Sequence, residues 1–159
     1  YADDSCWSRG QAWGIYGFLL SFIYTGDKEM VALSKRLANY FLNRLPEDAV
    51  CHWDLALVGT DALRDSSSAA IAVCGLLELI KHLPVTDPDR ERYQQWAMRI
   101  MSSLGKHYLA GSNEPTSGLL KHSVYHLASD KGVDECCSWG DYFYVEALMR
   151  FSQSWKLYW

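Results

Sequence analysis

The sequence contains no run of lysine or arginine. Its 15 basic residues are scattered among 19 acidic ones, for a formal net charge of −4. Without a clustered positive face, neither nucleic acid nor an anionic membrane is an expected partner. Long apolar runs are also missing. The longest, from Ile15 to Tyr24, is far shorter than the roughly 20 residues a membrane-spanning helix needs, and no charged-then-apolar leader opens the chain. Cysteines spaced two apart, as a thiolate zinc site would have them, do not occur. Cys6, Cys51, Cys74, Cys136 and Cys137 form an odd set whose last two members are adjacent, which argues against a disulfide framework. A reducing, cytoplasmic setting is expected. Strand-like alternation of apolar and polar residues is scarce, so an all-α fold is the first reading.

What the sequence does contain is enough apolar material for one substantial core, 49% of 159 residues. It falls into two kinds of helical stretch. Gln11 to Tyr24, Ser67 to Ile80 and Asp141 to Phe151 are apolar nearly all round, which predicts burial on every side. Between them, Met30, Leu33, Leu37, Tyr40 and Phe41, and then Tyr93, Trp96, Ala97, Ile100, Met101, Leu104 and Tyr108, each trace a single stripe along an outer, half-exposed helix. Gly26-Asp27 and Asp87-Pro88-Asp89 provide start signals for those outer helices. Strict alternation of buried and amphipathic helices predicts helical hairpins in an inner and an outer layer. Polar groups stand directly before each buried helix, at Arg9, at Arg64 to Ser68 and at Ser138. They predict a common mouth where helix N-termini offer free N–H groups to an anion. The connections Leu45 to Leu63 and Leu109 to Cys137 are long enough to line that mouth or to hide a further element.

Cys6-Trp7-Ser8-Arg9-Gly10-Gln11-Ala12-Trp13-Gly14-Ile15-Tyr16-Gly17-Phe18 resembles the signature of glycoside hydrolase family 88, the unsaturated glucuronyl hydrolases. Arg64-Asp65-Ser66-Ser67-Ser68-Ala69-Ala70-Ile71-Ala72 and Trp139-Gly140-Asp141-Tyr142-Phe143-Tyr144-Val145-Glu146-Ala147-Leu148 extend the resemblance, in the family's order, over nearly the whole chain. The resemblance implies that residues 1–159 are a single domain, the C-terminal portion of an (α/α)6 toroid. The implied reaction is cofactor-free hydration of the 4,5 double bond of an unsaturated uronic acid, after which the sugar collapses and the glycosidic bond breaks. The partner is then an unsaturated uronic-acid oligosaccharide. The two aspartates credited with the chemistry in the family lie upstream of the Trp-Ser-Arg-Gly-Gln motif. No catalytic residue is therefore assigned here, and the chain alone is expected to be inactive.

Several residues are candidates for substrate contact. Arg9 carries a guanidinium fork that matches a carboxylate; the alternative is an ion pair. Trp13, four residues on, shares its helical face and offers a flat wall for a sugar ring. Trp7, Gln11 and Tyr142 follow as further contacts, with core packing as the competing role for the two aromatics. Some family members hold a sulfate on the neighbouring sugar with serine and lysine from the C-terminal region, a role that Ser129 and Lys131 would take here. Asp65 and Asp141 precede buried helices and are read as caps or ion-pair partners. His122 and His126 have the i, i+4 spacing of helical zinc ligands but sit in an apparent loop without an adjacent glutamate, so no metal site is assigned.

Overall fold

The structure is a computed structural model that describes residues 2–59 and 61–157. Helix α1 (Ser8–Thr25) ends where Gly26 takes the left-handed conformation, with φ of 72°. One residue later the Asp27 carboxylate accepts the Glu29 amide at 2.9 Å and opens α2 (Lys28–Asn43). Helix α3 (Ser66–His82) is capped by Asp65. The amide of Asp89 is bonded to the Asp87 carboxylate at the start of α4 (Asp89–Ser103). Helix α5 (Ser138–Ser152) closes the order.

Helix α3 is the hub, packing against α1, α4 and α5, while α2 rests mainly on α1. A Cβ on Gly75 would stand 2.8 Å from Ile15 Cγ2 and 3.2 Å from the Tyr16 amide nitrogen, so the absent side chain lets α1 and α3 approach closely. Inner α1, α3 and α5 and outer α2 and α4 reproduce the expected alternation. Of the three inner helices only α3 is buried on all sides. Helices α1 and α5 each leave one side open, exposing Trp13, Tyr142, Val145, Leu148 and Met149. Among the described residues no helix is long and apolar enough to cross a membrane.

Three features depart from the sequence reading. Helices α1 and α5 begin three residues before Gln11 and Asp141, because the polar residues ahead of each apolar run belong to the first turn. The outer helix expected to reach Tyr108 ends at Ser103 and continues as one π-helical turn, Leu104–Tyr108. The connection 109–137 contains an antiparallel hairpin of β1 (Ser123–His126) and β2 (Lys131–Glu135). A bulge interrupts its register, Ser123 facing Glu135 and Val124 facing Val133. Asp130, Gly132 and Asp134 all have positive φ, so the pattern never alternates long enough to read as strand.

The inner layer also holds a buried polar cluster. Arg150 donates through Nε to Glu146 at 2.8 Å and through Nη1 to Glu78 at 2.7 Å, and its Nη2 reaches the Tyr16 hydroxyl. Tyr16 in turn donates to Glu146 at 2.9 Å. All four groups are deeply buried between α1, α3 and α5. Burial pulls the Arg150 pKa down, and its hydrogen bonds to Glu78 and Glu146 with the neighbouring Tyr16 and Cys74 more than reverse it. A charge so paired is tolerated, whereas removing one partner strands the rest.

Candidate functional site

The N-termini of the three inner helices meet at one end, and side chains tie them together. Ser8 of α1 donates to Ser68 of α3 at 3.0 Å. Trp139 of α5 donates through its indole nitrogen to Ser67 at 3.3 Å. Fully buried Asp65 is the node, accepting from Ser67 Oγ at 2.6 Å, Ser68 Oγ at 2.7 Å and Arg9 Nη1 at 3.2 Å. Capping and ion pairing, the two local roles expected of Asp65, are here filled together. Asp141 has a local role of another kind: its two carboxylate oxygens accept the amides of Leu119 and Leu120 at 3.0 and 2.8 Å and fix the approach to the hairpin.

Arg9 makes the ion pair that the sequence left as its alternative role. The guanidinium is not an open fork at a mouth, being only 4% exposed. Besides Asp65 it donates to Ser67 Oγ at 3.3 Å, to the Val124 carbonyl at 2.7 Å and to the Tyr125 carbonyl at 2.8 Å. Its flat faces lie 5.0 Å from the Trp7 ring and 5.2 Å from the Trp139 ring. The cation therefore fastens β1 to the inner helices and lies over two indole rings.

Around that latch lies a pocket of about 260 Å³ lined by Trp7, Trp53, Val124, Tyr125, His126 and Leu127. Trp7 is 47% exposed on its wall, so core packing does not account for it. Tyr125 leans on Trp139 at 5.4 Å, continuing the aromatic surface. Trp53, Tyr125 and Trp139 were not singled out by sequence. The first two lie in the long connections, whose length was the available signal.

Trp13 and Tyr142 form a second aromatic group, both edge-on to Phe143 at 5.0 and 4.8 Å and exposed by 38% and 42%. Burial, with the nearby Glu146 carboxylate, pushes the Tyr142 phenol up to about 12, so it stays a neutral donor at physiological pH. Gln11 has a local partner. Its amide donates to the Leu37 carbonyl at 3.1 Å, which turns it toward α2 and away from the aromatic walls.

Ser129 and Lys131 sit at the turn of the hairpin, both exposed, at the end of β1 that carries His126. His126 Nδ1 accepts the Ser129 amide at 3.2 Å and lies 2.7 Å from its hydroxyl. His122 pairs instead with Asp134, Nδ1 to Oδ1 at 2.7 Å. His126 ends β1 and His122 immediately precedes it, so neither imidazole is on a helix, and each has its own partner. Among the described residues no group of three or more histidine, cysteine or acidic side chains is placed to hold a metal ion.

The unsaturated chondroitin disaccharide hydrolase of Streptococcus pneumoniae is 49% identical over 160 residues, covering 100% of this chain and 40% of that protein. A crystal structure of an unsaturated glucuronyl hydrolase mutant from Streptococcus agalactiae, complexed with dGlcA-GalNAc6S, matches the whole chain with a TM-score of 0.95 at 49% identity. Over its whole length the chain is similar to unsaturated glucuronyl hydrolases. Another unsaturated glucuronyl hydrolase, from a Bacillus species, is 39% identical over 158 residues. The solved glucuronyl hydrolases have an α/α toroid fold, and the two helical layers here are part of one. The chain spans about 40% of the length of the curated relatives it matches and 42% of the Streptococcus agalactiae chain. No family model matches it.

Proposed function

We propose that the protein carrying this chain hydrolyses 4,5-unsaturated glucuronyl oligosaccharides, of the kind polysaccharide lyases release from glycosaminoglycans, by hydrating the vinyl ether double bond. The observation that carries this reading is the convergence of three inner-helix N-termini on one buried cation edged by exposed aromatic walls. That arrangement suits an anionic sugar: indole faces for the ring, positive helix ends and Arg9 for the carboxylate. The relative complexed with dGlcA-GalNAc6S supports the substrate class.

On this reading residues 1–159 are one domain that contributes binding walls, and the acid–base carboxylates belong to the part of the relatives outside this chain. Trp7, Trp13 and Tyr142 contact the sugars. Arg9 positions β1 and supplies positive potential, and a direct fork to the carboxylate requires it to release Val124 and Tyr125. Ser129 and Lys131, at the hairpin turn, are placed to meet a substituent on the second sugar. No cofactor enters. The five cysteines, all without a disulfide partner, support a cytoplasmic location.

The test is loss of the double-bond ultraviolet absorbance of an unsaturated chondroitin disaccharide with the full-length enzyme. Trp13→Ala should raise KM about tenfold with a smaller change in kcat, as expected for loss of a ground-state contact. Turnover confined to unsaturated rhamnogalacturonan fragments would move the protein to the pectin-acting relatives. Absence of turnover with any unsaturated uronic substrate would reject the enzyme reading.

A further inference from the structure

Two side chains outside the aromatic walls are held in place against backbone preference. His122 and Asp134 both take the left-handed conformation, with φ of 63° and 60°, and His122 Nδ1 lies 2.7 Å from Asp134 Oδ1. Histidine and aspartate tolerate that conformation better than most side chains, but glycine adopts it without strain. What asks for an explanation is that the two stand on facing segments and are joined by one hydrogen bond. Asp134 is also the extra residue of the bulge, since Ser123 faces Glu135 and Val124 faces Val133. A bulged residue leaves the ladder and its side chain is re-aimed, here onto the imidazole.

His122 is fastened to the body. Its carbonyl accepts the Ser66 amide at 3.1 Å, the preceding Lys121 amide donates to the Tyr108 carbonyl at 2.8 Å, and its ring stands edge-on to Tyr108 at 5.7 Å. Among the described residues the bond to His122 is the only side-chain hydrogen bond that β2 makes. We infer that the His122–Asp134 pair locks the register of the hairpin, and that Asp134 is a positioning residue for the substrate wall. Without the bulge, the pairing of Ser123 with Glu135 would run on to set Asp134 opposite Val124 and Gly132 opposite His126, where Lys131 now stands. Gly132 would then leave Tyr125, whose Cβ lies 2.9 Å from where a Cβ on Gly132 would be. Four of the six residues lining the 260 Å³ pocket, Val124 to Leu127, come from this hairpin. Its register therefore decides the shape of the pocket and the side on which Ser129 and Lys131 are presented.

The inference deepens the proposed function, yet the lock can be read without substrate. In the full-length enzyme, Asp134→Gly removes the carboxylate and suits the backbone. Asp134→Asn keeps an oxygen for the imidazole N–H and also tolerates the left-handed conformation. Asp134→Gly should hold or raise the thermal midpoint while amide exchange over residues 123–135, followed by mass spectrometry, speeds up about tenfold. With an unsaturated chondroitin disaccharide its KM should rise about tenfold with kcat changed less than about twofold, and Asp134→Asn should return both readings to within about threefold of the parent. Exchange and KM unchanged in Asp134→Gly would overturn the inference. So would a raised KM that accompanies a lowered thermal midpoint in both variants, because that is general destabilisation. Faster exchange with KM unchanged leaves a brace without a positioning role and overturns the assignment of Asp134. If the parent turns over no unsaturated uronic substrate, faster exchange in Asp134→Gly that Asp134→Asn reverses still establishes the lock, and the substrate wall falls with the proposed function.

Discussion

Asp65 is where cap, ion pair and hydroxyl network coincide, and its substitution tests how much one buried carboxylate holds. Losing an N-cap costs about 1 kcal/mol, and stranding a buried cation costs about 3–5 kcal/mol. Asp65→Ala is expected to lower unfolding free energy by about 3 kcal/mol in urea denaturation, and a loss under about 1 kcal/mol would show that Arg9 relaxes onto the β1 carbonyls. Glu78 gives a pH signature. Burial raises its pKa, but hydrogen bonds from Arg150 and Lys81 outweigh that and hold it below its ordinary value of 4.5. A depressed folded value contributes stability above the unfolded pKa, lost as pH falls through the folded one. Urea midpoints should therefore drop as pH falls below about 4.5, and Glu78→Gln should be less stable at neutral pH with a flatter acid slope. An unchanged slope in the variant would assign the acid sensitivity elsewhere, to Asp48 first, whose pKa is also depressed: hydrogen bonds from Tyr108 and Arg64 outweigh its burial.

The helices were legible in the sequence because each needed only periodicity. Gly75 shows how their packing is set by what is missing. Alanine is the better helix former by about 1 kcal/mol. Its Cβ would nevertheless meet Ile15 Cγ2, a β-branched side chain with little rotamer freedom, and the Tyr16 backbone. Overpacking of this sort costs about 1–3 kcal/mol, so Gly75→Ala should lower the thermal midpoint despite its propensity gain. A raised midpoint would mean α1 slides freely on α3. The hairpin was illegible for an equally physical reason. Its strands are four and five residues long, a bulge breaks the register, and left-handed residues interrupt β2. For Gln11 no sign of its partner lay in the sequence, because the acceptor, the Leu37 carbonyl, comes from the neighbouring helix. Arg9 was found, but its partners come from residues 65 and 124–125, a separation that no local pattern encodes.

Taken whole, the chain buries its centre and leaves both flanks apolar. In isolation it should associate without fixed stoichiometry as concentration rises, visible in sedimentation velocity as a drifting, broadening boundary. A single sharp monomer at all concentrations would show that the flanks rearrange to cover themselves. One earlier detail reaches further than stability. The hairpin is held to the body through the carbonyls of Lys121, His122, Val124 and Tyr125, gripped by Ser66 and Arg9. On its own side each of these four contacts is main chain, and the side-chain contacts, Ser123 to Ser66 and Tyr125 to Trp139, lie away from the turn. Side chains at the hairpin turn are thus free to be exchanged without loosening it, which makes this segment an interchangeable module on a fixed mount. Selection can rewrite what the hairpin recognises while the floor beneath it stays the same.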